Sequence, residues 1–309
     1  MKKLKLAYLG SGPISNFHLP ALKKVGFEVI TIFTRKNSVR SYNFSKTHNL
    51  PVPELNFSDF LEKAKYADAF VIAIKTEFVP KNLRIIAKFN KPVLVEKPGA
   101  LYFKDLNNLK NKKIYFAYNR RFYKGVEEAK KFIEKNPNTL TTINYPDTIK
   151  TKHQFIINGC HIIDLLFYLF SDFKILNCYK VKNKNGFIVV LKTKKLDLLN
   201  LLVNWGSPDN FSISINSNNK RFELKPLEVG YLYNKMQIIQ PTKKYPLRSY
   251  KPEIEKEFLP RNFKFKPGFI EQYSEFKKVV KNKVKSKKLC DLKSAIKNLK
   301  MINQILKKI

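Results

Sequence analysis

Short apolar runs alternate with helix-periodic stretches over the first 120 residues. Residues 4–9 (LKLAYL) form an apolar run that stops at Gly10, and 28–33 (EVITIF) is β-branched and strand-like. Ala69–Ile74, Pro92–Val95 and Ile114–Ala117 are further apolar runs. Helical patterns fall between them near 13–25, 58–65, 79–89 and 103–111. Strands alternating with helices predict βαβ units and a parallel sheet buried on both faces. The pattern changes after about residue 120. A helix is predicted at 124–135, a strand at 139–144 and a buried helix at Cys160–Phe170. From 174 to 240 short strand-like runs follow, with hairpin turns at Asn183–Gly186 and Ser217–Lys220. Those runs predict a mostly antiparallel sheet. The Pro-, Lys- and aromatic-rich stretch 241–268 is expected to be a long loop, and two helices, 269–281 and 290–307, close the chain. The expected class is α/β, with one domain over 1–120 and a second α/β domain over 121–309 built on an open, mostly antiparallel sheet.

Composition narrows the function classes. Of 309 residues 44% are hydrophobic, an ordinary globular share. No stretch reaches 18 consecutive apolar residues, so membrane insertion is not expected. Met1-Lys2-Lys3 leads directly into a run ending at Gly10, too short for a signal peptide, and the expected location is the cytoplasm. Cys160, Cys178 and Cys290 are few and lack CxxC spacing, so neither a disulfide framework nor a metal site is expected. The net charge of +36 comes from 60 basic residues, of which 52 are Lys and 8 are Arg. Arg suits bidentate contacts to phosphates and base edges, and it is the rarer cation here. Lys is spread along the whole chain beside Asn, Ile, Phe and Tyr, as AT-rich codon usage would give. No specific nucleic-acid partner is expected.

Gly10-Ser11-Gly12-Pro13-Ile14-Ser15 joins the first strand to the first helix. It is GxGxxG with Ser in the last place. The first glycine permits a tight turn, the second lets a pyrophosphate approach backbone, and the helix N-terminus attracts negative charge. The second strand ends in Thr34-Arg35-Lys36, where NAD-selective proteins usually carry an acidic residue. A hydroxyl followed by cations suits the 2′-phosphate of NADP; NAD stays open. Glu96-Lys97-Pro98 ends a predicted central strand, where ligands gather at the carboxyl edge of such sheets. A partly buried lysine there suits proton transfer.

These segments together resemble the Gfo/Idh/MocA oxidoreductases, which include glucose-fructose oxidoreductase and inositol dehydrogenase. The resemblance covers nearly the whole chain. It rests on the glycine turn, Glu96-Lys97-Pro98, Tyr118-Asn119-Arg120-Arg121-Phe122, Gly159-Cys-His161-Ile-Ile-Asp164-Leu, and Lys266-Pro-Gly-Phe269 before a helix. It implies a Rossmann domain followed by an open-sheet α/β domain, and hydride transfer between a nicotinamide and a sugar-like hydroxyl or carbonyl. A sugar nucleotide or sugar acid of surface-polysaccharide synthesis is one such substrate. It also implies catalytic roles for Lys97 and His161. Gly10, Ser11, Gly12, Pro13, Ile14, Thr34, Arg35 and Glu96 would hold the cofactor; Asn119, Arg121, Lys152 and Asp164 would hold the substrate. A homodimer or homotetramer is expected. Many members carry Asp four residues before this His, where this chain has Ile157. A catalytically impaired nucleotide-binding regulatory protein of the same fold is the alternative.

Overall fold

The computed structural model describes residues 3–34, 39–109, 113–148, 151–181 and 186–309. The chain forms two compact units. The first comprises 1–122, 155–164 and 262–302, and the second 123–154, 165–261 and 303–309. The first unit thus includes two segments that sequence reasoning placed in the second domain.

In the first unit, β1 (Leu4–Leu9), α1 (Ser15–Val25), β2 (Phe27–Phe33), α2 (Val39–His48), α3 (Phe57–Ala64), β3 (Ala69–Ile72), α4 (Val79–Ile86), β4 (Val93–Val95) and β5 (Ile114–Phe116) follow in order. β1 pairs in parallel with β2 on one side and β3 on the other, and β4 and β5 continue the parallel array. Every residue of β3, β4 and β5 is buried, as expected of strands covered on both faces. The apolar runs were legible for that reason. Because the chain leaves β1 towards β2 and later returns to β3, a crevice opens at the carboxyl ends of β1 and β3.

The second unit contains α5 (Lys124–Lys135), β6 (Leu140–Asp147) and the single turn α6 (Lys152–Gln154). A π-helical stretch, Phe155–Gly159, then leads from α6 into α7 (Cys160–Phe170). Next come β7 (Phe173–Lys180), β8 (Gly186–Thr193), β9 (Leu198–Trp205), β10 (Ser212–Ser217), β11 (Lys220–Leu224), β12 (Gly230–Ile239) and β13 (Ser249–Phe258). The sheet runs β13-β12-β11-β10-β6-β9-β8-β7 and is antiparallel except for the β6–β9 pair. The predicted turn at 217–220 joins β10 to β11, with Asn218 at φ 48°. The other predicted turn, 183–186, lies outside the described residues except for Gly186.

Three local expectations change. Ser249–Phe258 is a strand, not a loop. It pairs along β12 as an outer strand, where Pro252 and many charges are tolerated because one edge needs no donor. The helix expected at 103–111 shrinks to a 3₁₀ turn, Phe103–Leu106, with Asn108 left-handed after it. The last helix does not begin at 290. Cys290–Asp291 forms β14, antiparallel to β5, and α9 runs Leu292–Lys308. Asp291 accepts the Ser294 N–H at 2.8 Å and so caps that helix.

Helix α8 (Phe269–Asn282) returns to the first unit and packs on α1. Phe276 stacks on Phe27 at 6.0 Å, and Phe269, Tyr273 and Phe276 join Leu6, Tyr8 and Leu22 in one buried cluster. Residues 152–170 are long and apolar enough to cross a membrane by length and composition, but 67% of that stretch is buried within the fold. It serves as a core helix.

Candidate active site

Gly10 and Gly12 meet different demands. Gly10 has φ +122°, and a β-carbon there would fall 2.1 Å from the Ala73 carbonyl oxygen. The end of β3, not a ligand, therefore requires the first glycine. A β-carbon on Gly12 would meet nothing within 4 Å. That space lies before the N-terminus of α1, whose N-cap residue Ile14 gives no side-chain cap and whose first turn has no acidic residue. A pyrophosphate suits such a cradle. Ser15 takes the third glycine's place and is wholly buried. Ser11 Oγ lies 3.4 Å from Ser41 Oγ on α2. Thr34 directly follows β2 and is buried. Arg35, the residue behind the NADP expectation, lies outside the described residues, as does Lys36.

Lys97 follows β4 and is half-buried. Its Nζ donates to the Ile157 carbonyl at 3.0 Å. Ile157 lies within the π-helical stretch, where the ordinary helical ladder is interrupted and a carbonyl can turn to another donor. The Cys160 thiol also donates to this oxygen, at 3.1 Å. Ile157 thus serves here through its main chain.

His161 lies in the first turn of α7 and is 7% exposed. Burial, then the charges of Lys97, Arg120 and Lys266, hold its imidazole well below the usual histidine range. Its Nδ1 is buried with no hydrogen-bond partner among the described residues. Tyr118 meets the ring edge-on at 5.9 Å. The Asn119 amide donates to the Pro267 carbonyl at 2.9 Å, tying the turn after β5 to the segment before α8.

Two expected substrate residues have another task. Arg121 and Asp164 form a two-point ion pair, Nε–Oδ2 at 2.7 Å and Nη2–Oδ1 at 2.6 Å. Their side chains are 6% and 1% exposed. Asn298 donates to the same Asp164 oxygen at 2.7 Å, and Arg121 also donates to the Lys288 carbonyl. Burial works against the Arg121 charge, and Asp164 more than restores it. The pair joins α7 to α9 and the turn after β5. With its oxygens occupied and its surface covered, Asp164 is a structural anchor rather than a substrate ligand. Lys152 belongs to the second unit; it is exposed and donates to the Leu306 carbonyl at 3.4 Å.

Sequence reasoning gave no role to His18 and Tyr273. His18 lies on the buried face of α1, with Nε2 2.8 Å from Glu96 Oε1 and Nδ1 against the Tyr273 hydroxyl. A carboxylate only accepts, so Nε2 carries the proton. Burial pushes the Tyr273 hydroxyl well above its usual value, so it stays protonated where it meets Nδ1. Burial also works to raise Glu96, but the His18 bond and charge, together with Lys97 and Lys266, outweigh it and hold the carboxyl below the usual range. The available signal was a polar residue on the apolar stripe Ser15–Leu19–Leu22, directly after the glycine turn.

No family model and no curated protein matches the sequence. Solved structures share its fold along the whole chain. A dehydrogenase (MviM) from Clostridium difficile is 20% identical, covers 100% of both chains and has a TM-score of 0.76. The WlbA dehydrogenase from Bordetella pertussis, in complex with NADH and UDP-GlcNAcA, is 16% identical over 99% of this chain and 95% of its own, TM-score 0.74. The UDP-N-acetylglucosamine 3-dehydrogenase GnnA from Acidithiobacillus ferrooxidans is 12% identical over 100% and 98%, TM-score 0.78. At these identities the likeness is one of fold. The expected α/β architecture, a Rossmann-like sheet followed by a mostly antiparallel one, is borne out.

Proposed function

We propose that this chain is a nicotinamide-dependent oxidoreductase of the Gfo/Idh/MocA kind, interconverting a hydroxyl and a carbonyl on a sugar-like substrate. The observation that carries this reading is Lys97. It sits at the carboxyl edge of a nucleotide-binding-type sheet, held by the Ile157 carbonyl beside His161. The open space over Gly12 and the N-terminus of α1 fit a dinucleotide diphosphate. When bound, a nicotinamide would supply or accept the hydride. Gly12, Ile14 and the α1 N-terminus would hold the diphosphate, and Ser11 and Thr34 would lie towards the ribose. Lys97 would carry the proton of the reacting oxygen, while His161 would hold that oxygen. Asn119 remains a candidate for orienting substrate.

The WlbA neighbour's NADH and UDP-GlcNAcA make sugar nucleotides the first substrate class to try. Arg35 and Lys36 favour NADP over NAD in this reading. The chain would work as a homodimer or homotetramer.

The test is turnover of NADPH or NADH against carbonyl sugars, sugar acids and oxidised sugar nucleotides, with Lys97→Ala as the control. The expected result is turnover by the native chain and a loss of about 10²–10⁴-fold in the variant, with dinucleotide affinity unchanged. Turnover that survives Lys97→Ala removes the assigned role. Dinucleotide binding with no turnover on any such substrate favours a regulatory protein instead.

A further inference from the structure

We propose that His161 acts as a permanently neutral hydrogen-bond donor through Nε2–H, and that Lys97 alone carries the proton exchanged with the substrate oxygen. This rests on the oxidoreductase reading above and assigns the division of labour within its site.

The argument begins at the buried nitrogen. Nδ1 is buried with no partner among the described residues, and the residue as a whole is 7% exposed. A buried N–H with no acceptor costs more than a lone pair with no donor, because the carriers of orphaned lone pairs are better tolerated in folded proteins. One turn back along the helix, Ile157 offers a hydrocarbon side chain, and its carbonyl is already taken by Lys97 and Cys160. Nothing there would receive a proton on Nδ1. The single proton of the neutral ring therefore sits on Nε2.

A second proton is opposed from every side. Lys97 faces the ring from the end of β4, Arg120 from the turn after β5, and Lys266 from the segment before α8. The Tyr118 hydroxyl is held protonated by burial, and burial likewise pushes the Cys160 thiol up to about 11, so both are uncharged. The carboxylate on the same helix, Asp164, is bound by Arg121 and Asn298. Among the described residues, the charges that act most on the ring are all cations.

A neutral Nε2–H can polarise a carbonyl or hold an alkoxide, but releasing that proton would leave an imidazolate. The proton must come from elsewhere. In the reducing direction the carbonyl carbon gains a hydride from the reduced dinucleotide and the C=O π pair moves onto oxygen. An N–H bond of the Lys97 ammonium breaks and an O–H bond forms. The lysine amine then takes a proton from solvent. Oxidation runs the same steps backwards.

The experiment uses the whole chain with ¹⁵N-labelled histidine. Its four histidine side chains are observed by multiple-bond ¹H–¹⁵N NMR, and His161 is assigned by loss of its signals in His161→Gln. The expected result is an unprotonated Nδ1 and a protonated Nε2 for His161, unchanged from pH 8 to about 5.5. A protonation midpoint at or above about 6, or a proton on Nδ1, overturns the proposal. This readout needs neither cofactor nor substrate, so it stands or falls separately from the oxidoreductase reading. In kinetics, His161→Gln keeps an N–H donor and is expected to retain turnover within about tenfold. His161→Leu should lose about 10²–10³-fold. Equal losses in the two variants, both folded, would also overturn the donor role.

Discussion

His18 binds Glu96 through Nε2 and Tyr273 through Nδ1, so one buried imidazole joins α1, the end of β4 and α8. Glu96 immediately precedes Lys97, so this chain also sets the backbone from which Lys97 extends. Removing His18 leaves a carboxylate 12% exposed without its hydrogen-bond donor. His18→Ala is expected to lose about 2–4 kcal/mol of stability. His18→Gln should recover part of it, because an amide can donate to Glu96 and accept from Tyr273. Urea unfolding of the two variants checks this; equal losses would mean the ring's bulk matters and its hydrogen bonds do not.

The two glycines of the turn should separate folding from binding. Gly10→Ala drives a β-carbon into the Ala73 carbonyl and is expected to yield a destabilised or insoluble chain. Gly12→Ala meets open space, so the thermal midpoint should hold. Its dinucleotide affinity should fall by at least about tenfold, since the methyl group fills the space assigned to the diphosphate. Calorimetric titration with NADPH and NADH, beside a thermal melt, reads both effects.

Breaking the Arg121–Asp164 pair should damage the fold more than the chemistry. Arg121→Met leaves a buried carboxylate with no cation beside it among the described residues, and about 3–5 kcal/mol is expected to be lost. Replacing both partners, as Arg121→Met with Asp164→Leu, should restore much of it. A double variant less stable than the single one would show that the pair does more than neutralise itself.

Stability should decline on acidification in two stages. The folded His161 lies well below its usual value, so between pH 6.5 and that lower value the unfolded chain binds the extra proton. His161 burial is therefore fully tolerated above pH 6.5, and stability falls below it by up to about 1.4 kcal/mol per pH unit. Glu96 lies below its usual value in the folded chain. Its contribution is present above the ordinary carboxylate range and is lost as pH falls through its depressed value. Denaturant midpoints from pH 7 to 3.5 measure both. His161→Leu should flatten the first stage, and Glu96→Gln the second.

Much of this was legible in the sequence because burial leaves periodic traces. Strands covered on both faces read as continuous apolar runs, which exposed β1, β3, β4 and β5 and the motifs at their ends. The outer strand β13 was missed because it is exposed and polar and contains Pro252, all features that edge strands share with loops. The short β14 was missed because two residues carry no period. By itself, the order of residues determined the α/β class, the glycine turn and the Glu96-Lys97 step, since each depends on neighbours along the chain. Only the tertiary structure decided what those residues touch. Tyr273 is 255 positions from His18, Asp164 is 43 from Arg121, and Ile157 is 60 from Lys97. Hydrogen bonds between such distant groups depend on how helices and strands pack. Packing turned Asp164 into an anchor, gave His18 a place behind Glu96, and left His161 Nδ1 without a partner among the described residues.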